Sequence, residues 1–395
     1  LDLITQLVGF EGQVFEAKNI THTVTDLKRT LFNQETRVYS PIVAHSLENL
    51  ANALNKTPKE RAKAEDLYRQ AVTIWTNLPA TADNDVRMEF IASLAKLAGS
   101  LPDSLEGRIE AEYLYRKVLQ AWRYEERDEP NADRLANGLT NLANLLLSSA
   151  DGRAEAETLY REALQTWRSL AKNDPTAYLV SRAYAANNLA KLLAESKQGR
   201  VEAEQLYREA LQLRQSLAKT DPAIYTASVA STLQDLANLL AGSDDRHAEA
   251  EALYREALQL RSSLTKENQA SLLNSMANLL DSAENSGVEA EGLAVESMQI
   301  WRSLALNDAS SYEPSYAIAL NSLAYIRNTL KTDRFGIELL LRESLAIHQK
   351  WAKFDKASYE PQVANSLDSL AEMHINWQHY DQAKLEGHVV KQWNR

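Results

Sequence analysis

One phrase of sequence recurs along this chain at a constant interval. Residues 154–167 read AEAETLYREALQTW, residues 201–214 read VEAEQLYREALQLR, and residues 248–261 read AEAEALYREALQLR, each starting 47 residues after the one before. A fixed period of about 20–50 residues is typical of proteins that stack one small structural unit on the next. The period therefore predicts a repeat array in which the same interface forms many times.

A second marker divides the chain into eight repeats. It is a Leu-Ala pair, once Met-Ala, inside an apolar run, and we call its first residue the anchor. The anchors are Leu50, Leu94, Leu142, Leu189, Leu236, Met276, Leu323 and Leu370. The interval from Leu236 to Met276 is seven residues shorter than the 47-residue period, and the eighth repeat is degenerate.

Each repeat contains two stretches with helical periodicity. Apolar residues recur at i, i+3, i+4 and i+7 both in SVASTLQDLANLLA (228–241) and in AEAEALYREALQLRSSL (248–264). Only 12 glycines and 9 prolines occur in 395 residues, so few positions would interrupt a helix. These patterns predict an all-α fold, an α-solenoid of about eight helix-turn-helix repeats.

The connectors between repeats contain possible helix starts and a recurring tyrosine. Asp174 and Asp221 each precede a proline, as an N-cap precedes a proline in the first turn. In three other connectors the proline comes two residues after a tyrosine, which would start the helix slightly later, and both start points remain open. Tyrosines lie 11 residues before five anchors, and we expect them to wedge between neighbouring repeats: Tyr39, Tyr178, Tyr225, Tyr312 and Tyr359.

A bulky residue also recurs late in the second helix of most repeats. Trp75, Trp122, Trp167 and Trp301 share this position, which holds Arg or His in three other repeats. A position that accepts both Trp and Arg indicates a half-exposed edge. We expect these tryptophans to pack under the next connector, in preference to forming a ridge that binds a partner.

Composition and motifs exclude several functions. The net charge is −11, so we expect no nucleic-acid binding. No run of about 18 apolar residues occurs, so we expect no membrane insertion. No cysteine is present, so no site can depend on a thiol. No glycine-rich phosphate loop or G-x-S-x-G motif is present. The histidines lack the i,i+4 spacing of a helical metal pair. We therefore predict a cytoplasmic protein that has no catalytic residues, no metal site and no cofactor.

The two-helix pattern resembles the tetratricopeptide repeat (TPR). NNLAKLL (187–193) followed by EAEQLYREAL (202–211) is similar to the kinesin-light-chain-type subgroup and to long bacterial forms of the repeat. The resemblance extends over residues 36–395 and leaves residues 1–35 as an N-terminal helical cap or a degenerate repeat. It implies a right-handed superhelix in which the first helix of each repeat lines a concave groove. The period of 47 is longer than the roughly 34 residues usual in the family.

By that analogy, the positions two residues before and two residues after each anchor face the groove. These positions are rich in amides, which donate and accept hydrogen bonds and can therefore bind the backbone of an extended peptide. A surface selected only for helicity would favour other residues, because asparagine is a mediocre helix former. The candidate peptide-binding residues are Asn52, Lys96, Asn144, Asn187, Lys191, Gln234, Asn238, Asn274, Asn278 and Asn321.

The resemblance implies a non-catalytic scaffold that binds a peptide or protein segment in its groove. The alternative is a TPR sensor or adaptor part of a larger bacterial signalling or defence protein, whose effector domain lies outside this chain. A hydrolase that uses a carboxylate pair is the third and weakest hypothesis. The structural alternatives for the amides are that exposed helix positions tolerate asparagine, or that asparagine bonds the neighbouring repeat.

Overall fold

The computed structural model describes residues 36–55, 60–77, 84–102, 104–125, 132–147, 149, 151–281 and 286–393. In these ranges the chain forms fifteen α-helices and no strand. The helices are α1 Thr36–Leu54, α2 Arg61–Thr76, α3 Asn84–Ser100, α4 Leu105–Glu125, α5 Ala132–Leu146, α6 Arg153–Leu170, α7 Leu179–Ala194, α8 Arg200–Thr220, α9 Pro222–Leu240, α10 His247–Gln259, α11 Lys266–Asp281, α12 Gly287–Asn307, α13 Ala309–Thr329, α14 Arg334–Ala352 and α15 Lys356–Trp393. The predicted all-α solenoid is confirmed.

The helices form two compact units, Leu1–Leu192 and Leu193–Arg395. Within each unit, consecutive helices pack as hairpins, and the first helices of adjacent repeats also touch, as in α3 with α5 and α9 with α11. Odd-numbered helices are the first helices of their repeats and even-numbered helices the second. The predicted N-terminal cap lies outside the described residues. The right-handed superhelix and the single array over residues 36–395 stay predictions.

The anchor pairs form the contacts between helices. Leu236 and Ala237 of α9 have no exposed surface, and Tyr254 of α10 is 1% exposed. The small alanine lets two helix axes approach closely, within about 8–10 Å, while the leucine and tyrosine fill the space beside it. The Leu-Ala pair and the tyrosine recur together in the first five repeats, which explains why the phrase is repeated, and Ala294 and Leu341 take the tyrosine position in the sixth and seventh.

The predicted anchor of the second repeat is wrong by three residues. Residues 94–98 read LAKLA and contain two Leu-Ala pairs. Leu97 and Ala98 are each 4% exposed, whereas Leu94 is only half-buried. With Leu97 as the anchor, Tyr115 follows it by 18 residues, the same offset that separates Leu236 from Tyr254.

The capping aspartates start the first helices. The Asp221 carboxylate accepts a hydrogen bond from the backbone N–H of Ile224, and Pro222 is the first residue of α9. Asp308 caps α13 in the same way, so Pro314 lies inside that helix. The earlier of the two open start points is therefore the one adopted at Asp221 and Asp308, because a capping side chain is available there. The predicted start at Asp174 is wrong, because α7 begins only at Leu179 and the Asp174 carboxylate instead accepts hydrogen bonds from the backbone N–H groups of Thr176 and Ala177.

Connector tyrosines pack on the late aromatic residues of the preceding helix, as predicted. The ring centroids of Trp167 and Tyr178 are 5.5 Å apart, and those of Trp301 and Tyr312 are 6.2 Å apart. The expectation of half-exposure is wrong for three of the tryptophans, since Trp75, Trp122 and Trp167 are all at most 4% exposed. The first helix of the next repeat closes over this position.

The last repeats depart from the regular pattern. Helix α10 ends at Gln259, and a 3-10 turn at Arg261–Ser263 leads directly to α11. The seven missing residues therefore fall at the end of the second helix of the fifth repeat. In the eighth repeat, α15 has 38 residues and continues as one helix to Trp393, in place of a hairpin.

An arginine-glutamate ladder follows the exposed side of the second helices. Arg69 binds Glu65 of its own helix and also Glu110 of the next second helix, the latter at 2.7 Å. Arg208 repeats this pattern with Glu204 and Glu249. Surface ion pairs of this kind each contribute about 0–1 kcal/mol. The sequence spacing predicts the contact within a helix but not the one between repeats.

Candidate functional site

The positions two residues after the anchors lie on the outer surface of the first helices. Asn52, Lys191, Asn238 and Asn278 are exposed, and Asn144 is half-buried. In each unit these side chains form part of a polar strip that is open to solvent. That they bind a peptide stays a prediction.

Three of these asparagines accept a hydrogen bond from a tyrosine of the second helix. The hydroxyl of Tyr68 donates to Asn52 Oδ1 at 2.6 Å, and the Tyr254 hydroxyl donates to Asn238 Oδ1 at 2.5 Å. Tyr160 donates to Asn144 in the same way. Each pair is 16 residues apart in sequence.

The tyrosine rings are buried, so their hydroxyls need these partners. Tyr68 is 2% exposed, and burial raises its pKa to about 12. Burial likewise raises the pKa of Tyr160 and of Tyr254. A hydroxyl that loses its hydrogen bond in such a place costs about 1–3 kcal/mol. Part of the asparagine content is therefore structural, through a contact within one repeat that the sequence analysis missed.

Asn144 belongs to a larger network. Its Nδ2 donates to the Tyr184 hydroxyl at 3.2 Å, and its Oδ1 also accepts from Asn188 Nδ2 at 3.2 Å. Both partners come from α7, the first helix of the next repeat. Asn144 thus ties two adjacent first helices together and also holds the buried tyrosine.

The corrected register moves Lys96 away from the groove position. Gly99 lies two residues after Leu97, and a Cβ built on it would be 3.1 Å from the Tyr115 hydroxyl oxygen. Tyrosine therefore approaches this position in the second repeat also, although glycine offers no side chain to bond it. The spacing that assigns Lys96 to the groove is counted from Leu94, so peptide binding by Lys96 stays a prediction without that support.

Lys96 instead binds a buried carboxylate. Glu48 is 1% exposed and accepts hydrogen bonds from Lys96 Nζ, Ser93 Oγ and, at 3.1 Å, Trp75 Nε1. Burial on its own would raise the pKa of Glu48. The hydrogen bonds from Lys96, Ser93 and Trp75 and the lysine charge outweigh burial, so the pKa lies below its usual value. The cluster joins α1, α2 and α3.

The positions two residues before the anchors lie between neighbouring first helices. Gln234 Nε2 donates to Ser271 Oγ at 3.0 Å, and Asn321 Nδ2 donates to Ser366 Oγ at 3.2 Å. Asn187 is only 3% exposed. The buried Oδ1 atoms of Asn274 and Asn321 have no hydrogen-bond partner among the described residues. Gln234 and Asn321 thus contact the adjacent repeat, and Asn187 offers almost no surface to a ligand.

A cleft opens between the fifth and sixth repeats. Its volume is about 310 Å³, and its lining residues are Asn238, Ala241, His247, Tyr254, Ser275, Asn278 and Leu279. His247 Nε2 lies 3.1 Å from the Ala241 carbonyl oxygen. The Tyr position of the sixth repeat is Ala294, so Asn278 has no such hydroxyl to bond. The cleft therefore combines an amide committed to a tyrosine with one that is not.

The described residues hold no group of three or more His, Asp or Glu side chains placed to bind a metal ion. Among them there is also no helix with the length and apolar character that a membrane span requires.

Comparison with protein families finds the tetratricopeptide repeat at residues 135–175, 182–222 and 229–267. This chain contains tetratricopeptide repeats. The three matches cover the third, fourth and fifth repeats, which carry the recurring phrase. At the coarse level, the repeats form a protein-interaction or sensor domain. The kinesin-light-chain-type subgroup and a bacterial origin stay predictions.

The fold is similar to that of a solved structure, the apo form of RapI. The apo form of RapI is 12% identical and matches with a TM-score of 0.56 over 89% of this chain and 93% of its own. A signal transduction ATPase with numerous domains from Pyrococcus horikoshii, which has a tetratricopeptide repeat sensor, is 13% identical with a TM-score of 0.49. That match covers 88% of this chain and 52% of the ATPase. No curated protein matches the sequence.

Proposed function

We propose that this TPR protein is a non-catalytic scaffold that binds a peptide or protein segment on the surface of its first helices. In the second unit, the cleft between the fifth and sixth repeats is the principal site at which this segment binds. The observation that carries the proposal is Asn278, an exposed amide in a concave site. Its repeat has no tyrosine whose hydroxyl needs Asn278 as a hydrogen-bond acceptor. Its structural role is therefore smaller than that of Asn52 or Asn238.

The chemistry of the cleft suits a peptide backbone. Asn278 offers both a donor and an acceptor, and the Ser275 hydroxyl can serve as either. Leu279, which is 7% exposed, provides an apolar wall. Adjacent first helices lie about 8–10 Å apart, so an extended peptide at about 3.3 Å per residue would pass one repeat every three residues. The side chains along this strip would then meet every third residue of the ligand.

Selection from a random peptide library on the full chain tests the proposal. Peptides selected on the wild type should bind Asn278→Ala about fivefold more weakly, because one hydrogen bond contributes about 1 kcal/mol. The matched control is Asn307→Ala, since Asn307 is exposed at the end of α12 and outside the cleft. Equal affinity for both variants and the wild type would place binding elsewhere, and failure to select any peptide would reject the scaffold proposal.

A further inference from the structure

The last repeat exposes a helix face that the other repeats bury. In the fifth repeat this face consists of Ala230, Leu233 and Ala237, which are at most 1% exposed. The second helix of the same repeat covers it. In the seventh repeat the equivalent Ala324 packs against Ile337 of α14.

Helix α15 carries the sequence of such a face without the covering helix. Residues 363–371 read VANSLDSLA and match VASTLQDLA at 229–237. Ala364 and Ala371 are nevertheless exposed, Leu367 is 48% exposed and Ile375 is 54% exposed. We call these four residues the terminal face.

The opposite side of α15 packs against α14. Met373 and Trp377 are buried in a cluster with Ile337 and Leu341 of α14. Helix α15 therefore occupies the place of a first helix in the array. In the described part of the chain it runs on to Trp393 and no second helix folds back over it.

We propose that the terminal face binds an amphipathic helix from another protein. This helix resembles the second helix of a tetratricopeptide repeat and has basic residues at its margins. Complete repeats show what fits the face, namely a stripe such as Ala250, Leu253, Tyr254 and Ala257. The surface thus continues an interface that the chain itself forms in every complete repeat.

The chain's own C-terminal residues do not supply that stripe. In complete repeats the stripe lies 14, 17, 18 and 21 residues after the anchor. The corresponding residues after Leu370 are Lys384, Gly387, His388 and Lys391. Two charged residues and a glycine would replace the alanines and leucine that fill the interface, so residues 384–391 do not form the complementary stripe.

Charge favours a basic partner over a second copy of this chain. Glu360, Asp368 and Glu372 are exposed along α15, and residues 357–383 contain no lysine or arginine. Two terminal faces packed on each other would bring these carboxylates together, whereas lysine or arginine at the margins of a partner helix would neutralise them. Complementary charge also steers the partner to the correct face.

A synthetic peptide drawn from the chain itself provides the probe. It has the sequence of residues 247–264 with Glu251→Lys and Glu256→Lys, which retain the apolar stripe and add basic margins. Fluorescence anisotropy of the labelled peptide, titrated with the full chain, should show saturable binding. Leu367→Glu should weaken it at least tenfold, because the interface would bury an unpaired carboxylate.

Controls separate this site from the cleft. Leu306→Glu changes an equally apolar residue that is 81% exposed on α12, and it should leave peptide binding unchanged. Asn278→Ala should also have no effect, because it lies in the cleft. Since Leu367 is half-exposed, Leu367→Glu should retain the helical circular dichroism and melting temperature of the wild type.

Three results would overturn the inference. The first is the absence of peptide binding by the folded full chain. This result is expected if the chain's own terminal residues already cover the face. The second is equal binding by Leu367→Glu. The third is a wild type that sediments as a dimer and becomes monomeric with Leu367→Glu, which would make a second copy the occupant.

Discussion

At the scale of single residues, the buried tyrosine hydroxyls decide what the asparagines do. Tyr68 is buried, and its hydroxyl bonds Asn52 on the surface of the first helix. The amide therefore has a structural task before any ligand arrives. The same side chain retains an Nδ2 donor, so the structural role and the proposed binding role are compatible.

The Asn52–Tyr68 pair can be tested with a double-mutant cycle. Asn52→Ala should lower the free energy of unfolding by about 1–3 kcal/mol, because it leaves a buried hydroxyl without its acceptor. Tyr68→Phe removes that hydroxyl, so adding Asn52→Ala to it should cost much less. Urea denaturation of the four proteins measures the coupling. Additive effects would show that the hydrogen bond contributes nothing.

Asn278→Ala is the matched control for that experiment. Its repeat has Ala294 in place of the tyrosine, so the change should alter the unfolding free energy by no more than about 0.5 kcal/mol. A large loss at this position would assign the amide a structural contact and weaken the proposed binding role.

Glu48 predicts a specific response to acid. Its pKa is lowered in the folded chain, so its contribution to stability is present above the pKa of an unfolded glutamate, about 4.3, and is lost as the pH falls through the lower folded value. Glu48→Gln should therefore flatten the decline in unfolding free energy below about pH 4.3. Urea denaturation between pH 7 and pH 3 measures this, with exposed Glu106→Gln as the control for net charge. Parallel pH profiles for wild type and Glu48→Gln would contradict it.

At this scale, the features that could be predicted from the sequence are the periodic ones. Anchors and amphipathic stripes recur with helical spacing and could be placed, because each pattern lies within one helix. The Asn-Tyr bond joins two helices, and its constant offset of 16 residues has no meaning until the hairpin is known. The error in the second repeat arose because LAKLA offers two anchors. The constant distance of 18 residues from anchor to tyrosine distinguishes them, since it selects Leu97.

At the scale of helices, a large residue late in one second helix meets a small or polar residue on the next first helix. Gly138 of α5 lies beside Trp122, and Ser366 of α15 lies 3.0 Å from His348 Nδ1. Arg214 bonds Thr232 at the same repeat position. The pairing explains why this position tolerates Trp, Arg and His, which the sequence analysis interpreted as half-exposure. The residue that accommodates each of them lies in the next repeat.

Gly138→Ala should destabilise the helix contact although alanine is the better helix former. A Cβ at this position would lie 2.6 Å from Trp122 Cζ3, and a rigid indole cannot move away cheaply. Overpacking of this kind costs about 1–3 kcal/mol, more than the roughly 1 kcal/mol that alanine gains over glycine in a helix. Thermal and urea denaturation measure the difference.

Gly292→Ala is the control for the contact at Gly138. No atom lies within 4 Å of a Cβ built at Gly292, which is inside α12. The change should therefore stabilise the chain by about 0.5–1 kcal/mol, because it reduces the freedom of the unfolded backbone. Stabilisation by both substitutions would show that Trp122 moves aside freely.

At the scale of the whole molecule, the stability of a repeat array is a sum over neighbouring contacts. Within the second unit, the first helices α9, α11 and α13 each have a helix on both sides, whereas α15 has α14 on one side and the open terminal face on the other. The period shows that the chain would stack, but its end is not periodic. Whether the last helix is covered depends on the residues after Leu370, which no longer follow the pattern, and this could not be predicted from the repeat.

Leu233 and Leu367 occupy the same place in the fifth and eighth repeats and should respond differently to truncation. Leu233 has no exposed surface, so Leu233→Ala should lower the unfolding free energy by about 2–5 kcal/mol through lost burial and a residual cavity. Leu367 is 48% exposed, and Leu367→Ala should cost less than about 1 kcal/mol, because water fills the space that the side chain leaves. Denaturation and amide hydrogen exchange on both variants measure the contrast. Equal losses of unfolding free energy would mean that the terminal face is covered in solution, so that α15 is packed on both sides. A small loss only at Leu367 would show that the terminal face is an unfilled interface, although the sequence of α15 still specifies a partner for it.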